Sequence, residues 1–177
     1  MKGALAAAVM VVAFAASASA QEATRLSADG VGPVTFALSR DQIDHLGAPI
    51  ERGTVNLEGD DYERYRITLA PERIVEVTFW DGQSTDISTT SADFTTQEGA
   101  HVGMTLAELR RLYPNGQFHI GAEEGSYMSF AISPGYGFSF DTDGIADSCF
   151  RWHQPCPTDL EARRATEFFL ARRPTAH

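Results

Sequence analysis

One motif occurs twice in this chain, at a constant offset of 66 residues. Phe36-Ala-Leu-Ser39-Arg-Asp-Gln42-Ile43-Asp-His-Leu46 aligns with Val102-Gly-Met-Thr105-Leu-Ala-Glu108-Leu109-Arg-Arg-Leu112. Each copy reads as a short extended stretch, a Ser or Thr N-cap, a Gln or Glu three residues later, and apolar residues at helical spacing. A hydroxyl followed at the third position by Gln or Glu is a capping box, in which two orphan amides at a helix start are satisfied reciprocally. Constant register between the two copies predicts a duplicated αβ unit.

The residues after each helix strengthen that expectation. Gly47 and Pro49 stop the first helix, and Pro114-Asn115-Gly116 stops the second. Tyr62 to Leu69 and Arg73 to Trp80 alternate between apolar and polar residues, as half-buried strands do. Asp81-Gly82 is a strong hairpin turn signal, and a further strand is expected over 85–89. In the second half, strands are predicted at 117–120, 126–132 and 136–141. Asp143-Gly144 is the matching turn before a strand at 145–150. Residues 21–30 look polar and frayed. After Pro157, Leu160, Ala165, Phe168 and Phe169 recur at helical spacing up to Arg172-Arg173, and predict a C-terminal helix.

The expected fold is therefore α+β: a tandem repeat of helix plus antiparallel sheet, with a C-terminal helix. Its boundaries are 1–20 for a signal peptide, 21–94 and 95–157 for the repeats, and 158–177 for the last helix and tail. Residues 21–177 are expected to form one compact domain.

The signal peptide is read from Lys2, the apolar run Leu5 to Ala16, and the small-residue cleavage site Ala18-Ser19-Ala20. Cleavage there leaves 157 residues, enough to build one core. It also removes the only lysine, so 13 Arg stand against 24 acidic residues and the mature charge becomes −11. No Schiff-base lysine and no phosphate-loop lysine remain. Such an acidic balance argues against nucleic acid, which demands a basic footprint. It favours a cationic protein partner. No later segment is apolar enough to span a bilayer. The expected location is periplasmic or secreted. In an oxidising compartment two cysteines favour pairing, so Cys149 and Cys156 are expected to form a local disulfide.

Thr96-x-x-Gly99-x-x-Val102-Gly103-Met104-Thr105-x-x-Glu108-Leu109, followed by a strand-rich stretch with an Asp-Gly turn, resembles a family of uncharacterised secreted bacterial domains. That likeness covers roughly residues 30–150. The helix-then-sheet duplication also looks like the tandem architecture of beta-lactamase inhibitor protein. The resemblance implies a scaffold and carries over no catalytic or inhibitory residue.

Catalytic patterns are absent from the sequence. There is no G-x-S-x-G, no H-E-x-x-H and no phosphate loop. His45, His101, His119 and His153 are scattered without ligand spacing, so no metal or cofactor is expected. The acidic stretches 58–63 and 141–147 lack the calcium-loop pattern. If the strands alternate as written, Arg64, Arg66, Glu76, Thr78, Trp80 and Tyr127 share the sheet face turned away from the helices. Arg, Trp and Tyr are the residue types that dominate binding hot spots. Arg64, Arg66, Trp80 and Tyr127 are therefore the candidate partner-binding residues. The expected function is a non-enzymatic, secreted periplasmic interaction protein that presents an open sheet face. A rival is a small-ligand protein or hydrolase whose site gathers Tyr136, Asp141, His119 and His153. A third reading is an envelope-assembly or stress factor.

Overall fold

A computed structural model describes residues 23–57, 59–122, 126–151 and 156–172. The proposed signal segment 1–20, His153 and the tail beyond 172 lie outside the described residues.

Among the described residues antiparallel strands dominate, and the two helices are short. Three two-residue strands, β1 (Leu26–Ser27), β2 (Gly30–Val31) and β3 (Val34–Thr35), form a small sheet. Helix α1 spans Arg40–Asp44. A meander follows: β4 (Ile50–Leu57), β5 (Asp60–Ala70), β6 (Arg73–Trp80) and β7 (Gln83–Thr89). Helix α2 spans Leu106–Leu112 and leads to β8 (Gln117–Gly121), β9 (Tyr127–Ser133) and β10 (Tyr136–Phe140). A 3₁₀ turn at Asp147–Phe150 precedes β11 (Ala165–Ala171). The larger sheet has eight antiparallel strands in the order β4-β5-β6-β7-β11-β10-β9-β8.

Both capping boxes form. Ser39 accepts from the Gln42 amide while the Gln42 side chain accepts from the Ser39 amide, and Thr105 and Glu108 do the same. The Asp81-Gly82 turn also forms, with positive φ at both residues, 47° and 79°, as a two-residue hairpin matched to strand twist requires.

The α+β tandem repeat with a C-terminal helix is not what these elements build. One continuous, mostly β architecture replaces two helix-plus-sheet units, and the segment expected to be the last helix is β11. A bulge explains the misreading. Phe140 opposes Ala165 but Ser139 opposes Glu167, so the ladder shifts register at that point. Ala165 and Phe168 consequently face the core three residues apart, which imitates helical spacing. The expected strand at 145–150 is instead the 3₁₀ turn, with Ile145 and Cys149 buried four residues apart. The expected frayed segment 21–30 contains β1 and places Leu26 in the core at 1% exposure. Strand β4 left little apolar pattern because it is an edge strand with mostly exposed residues.

The core lies on one face of the large sheet. Phe130, Phe138 and Phe168 stand in register across β9, β10 and β11, all fully buried. Ile67, Val75, Val77 and Ile87 continue this face across β5, β6 and β7. Ile43 of α1, Leu106 and Leu109 of α2, the small sheet and Phe94 join the same buried cluster. Arg40 lies over the Phe79 ring and Arg110 over the Phe118 ring, which fixes both helix regions to this inner face.

Candidate functional site

Register places the outer face residue by residue. Arg64 opposes Thr78 and Arg66 opposes Glu76; Thr78 opposes Asp86, and Glu76 opposes Ser88. Ser88 opposes Phe169, which opposes Gly137, which opposes Ala131. Every described covering element packs on the other side. Seven inter-strand spacings of about 4.8 Å give this outer face a width of roughly 34 Å.

Three of the four candidate partner-binding residues sit together. Glu76 lies between two guanidinium groups, 2.7 Å from Arg66 and 3.6 Å from Arg64. Trp80 lies two residues beyond Thr78, is 38% exposed, and stacks on Tyr62 with ring centroids 4.7 Å apart. Tyr127 shares the face but not the neighbourhood. It begins β9, Trp80 ends β6, and the two strands run in the same direction four positions apart. The two aromatics are therefore separated by roughly 19 Å across the sheet and lie at opposite ends along it. Tyr127 packs instead over Gly121, where an added Cβ would come within 2.7 Å of its ring.

A cavity of about 1040 Å³ opens at the end of the sheet where β5, β7 and β10 begin and β11 ends. Three local features build it. The β4–β5 hairpin overhangs the end of β6, which brings Leu57 and Tyr62 to the cavity. Two bulges lie at the same end. In one, Thr78 opposes Asp86 while Phe79 opposes Ser84; in the other, Gly137 opposes Ala131 while Tyr136 opposes Ser133. Bulges re-aim side chains, and they are common beside functional sites. Gly135 permits the close turn: its φ is +75° and a Cβ would meet the Ala171 carbonyl oxygen at 2.4 Å.

Among the described residues two charged side chains line the cavity. Arg172 lies on the inner side, its guanidinium carbon 4.9 Å from the Phe36 ring centroid. Asp86 belongs to the outer face, and burial raises its carboxyl pKa against the opposing effect of a Thr85 hydrogen bond. Tyr136 lines the inner side, and its hydroxyl pKa is pushed up to about 12 by burial, with the Glu98 charge adding to the shift.

Beside it lies a polar cluster. The Tyr113 hydroxyl is 2.6 Å from Thr96 Oγ1 and 2.7 Å from Glu98 Oε2. Burial raises the Tyr113 pKa, while the hydrogen bond from Tyr113 lowers that of Glu98.

The rival hydrolase or ligand set does not assemble. Tyr136 lines the cavity, but Asp141 and His119 do not. Asp141 is exposed and accepts from the Asp143 amide at 2.8 Å, and His119 is exposed on edge strand β8. His153 is outside the described residues. Among the described residues no group of three His, Cys, Asp or Glu side chains gathers for a metal. Cys149 and Cys156 form the expected disulfide. No helix among the described residues is long and apolar enough to cross a membrane.

Sequence reading missed Asp86, Tyr62, Phe36 and Arg172 as neighbours. Asp86 reads as an ordinary polar position in an alternating strand, and only the bulge and the distant β11 pairing bring it to the cavity.

No family model and no curated protein matches this chain. Among solved structures it is similar to yfeY, an uncharacterized protein from Escherichia coli, with a TM-score of 0.61 at 15% identity. The match covers 84% of this chain and 100% of that one. At that identity the likeness concerns the fold alone.

Proposed function

We propose that this protein is a secreted, periplasmic, non-enzymatic interaction protein that presents the outer face of its large sheet to a protein partner. One observation carries the reading: every described covering element packs on one side of an eight-stranded sheet, leaving the other side open. An antiparallel sheet tolerates water on one face, so this arrangement is stable without a partner. At roughly 34 Å by 20 Å, the face approaches the ~800 Å² that each side of a standard interface buries. Arg64, Arg66 and Trp80 supply hot-spot residue types at one corner. Tyr127 supplies a second contact at the opposite corner, which only a partner spanning the sheet would reach. The formal charge of −10 favours a cationic partner through long-range steering. The disulfide suits an oxidising compartment.

Affinity capture from an envelope extract tests the reading, with Trp80→Ala and Arg66→Ala run in parallel. A stoichiometric partner that is lost in both variants and weakened by salt supports the outer face. A partner retained by both variants places the interface elsewhere.

A further inference from the structure

We infer that the cavity at the end of the sheet binds a small amphipathic molecule bearing a cationic amine, with Asp86 receiving the ammonium group and Phe36, Leu57, Tyr62 and Leu170 holding the apolar body. This site adjoins the protein-binding corner, because Tyr62 stacks on Trp80, but Arg64 and Arg66 do not line it. Its volume, about 1040 Å³, is ample for a small ligand. Its walls mix apolar and aromatic side chains with polar ones, among them Thr85, Asp86, Ser133 and Arg172, so it offers both an apolar surface and polar partners.

The choice of ligand charge comes from the two ionic side chains. Arg172 is turned to the inner side, where its guanidinium already lies over Phe36. Asp86 stands on the outer side, opposite Thr78 and Ala171, neither of which is charged. Among the described residues no cation pairs with Asp86. A half-buried carboxylate without a counter-ion is costly, and an incoming ammonium group supplies the missing charge together with a charge-assisted hydrogen bond. Tyr62, on the same side of the sheet as Asp86, adds an aromatic ring of the kind that attracts organic cations. The sheet positions Asp86: its backbone pairs with β6 on one side, beside the bulge, and with β11 on the other.

Octylamine and octanol are the probes, titrated calorimetrically at neutral pH into the full mature protein and into Asp86→Asn and Tyr62→Ala. The two probes share an apolar chain and differ in charge. Three results together support the site: octylamine binds the wild type at least about tenfold tighter than octanol, Asp86→Asn erases that difference, and Tyr62→Ala weakens both probes. Equal binding of the two probes, octylamine binding untouched by Asp86→Asn, or no saturable binding of octylamine overturns it. Far-UV circular dichroism of each variant separates loss of the site from loss of the fold. Partner capture with Arg66→Ala, whose side chain does not line the cavity, separates failure of the protein-binding reading from failure of this one.

Discussion

Tyr62 and Trp80 stack with their ring centroids 4.7 Å apart and their planes tilted by 36°, tying the overhanging β4–β5 hairpin to the end of β6. Aromatic pairs of this kind contribute about 0.5–1.5 kcal/mol beyond their area burial. A double-mutant cycle of Tyr62→Ala and Trp80→Ala should return a coupling energy in that range by urea denaturation. A coupling near zero would show that the hairpin is held by its backbone ladder alone.

Arg66 and Glu76 form an exposed ion pair at 2.7 Å, and such pairs contribute little to stability. Arg66→Ala should therefore cost no more than about 1 kcal/mol in a denaturant melt. Its effect on partner capture should be far larger than its effect on folding. Comparable losses in both measurements would remove Arg66 from the proposed interface.

Asp86 gives a pH signature. Its folded pKa lies above the ordinary 3.8, so above that value the folded state holds more of the proton than the unfolded chain does. Stability contributed by the protonated carboxyl is complete below pH 3.8 and is lost as pH rises through the raised value. Asp86→Asn should therefore be more stable than the wild type at pH 7, with the gap narrowing as pH falls through the raised value and closed below 3.8. Thermal melts across that range check it; a variant less stable at pH 7 would show that the carboxylate has a cation partner.

Glu98 should titrate in the opposite sense. The Tyr113 hydroxyl favours its ionised form and holds its pKa below 4.5. Tyr113→Phe removes that donor, and the Glu98 side-chain resonances should then titrate at higher pH by NMR. An unchanged titration would assign the depression to the backbone instead.

Removing the Cys149–Cys156 bridge by a double Ser substitution should cost roughly 2–3 kcal/mol by the loop-entropy relation. Denaturation of both forms under the same conditions measures it.

Local features were legible in the sequence, and non-local ones were not. Ser39 with Gln42 and Thr105 with Glu108 announce helix starts because a capping box is complete within four residues. Asp81-Gly82 announces its turn for the same reason. The alternation of 73–80 gives β6 within its own length. The sequence near β11 misleads because the bulge after Ala165 gives its buried residues helical spacing. The candidate site divides in the same way. Arg64, Arg66 and Trp80 are close in sequence across one hairpin, and they meet as expected. Tyr127 lies in the other half, with three strands between it and Trp80 and four between it and the two arginines. Asp86, Tyr62 and Arg172 come from three strands whose order only the complete sheet defines.

Strand β11 is the last named element, yet it occupies the centre of the sheet, between β7 and β10. Until residues 165–171 arrive, β4 to β7 and β8 to β10 are two separate ribbons, each with a bare edge where β11 belongs. Phe168 and Leu170 are then missing from the core, and the β7 and β10 edges are open to pairing with other chains. The two ribbons are thus joined by a segment whose partners lie about eighty and thirty residues back along the chain, a non-local pairing of the kind that slows folding.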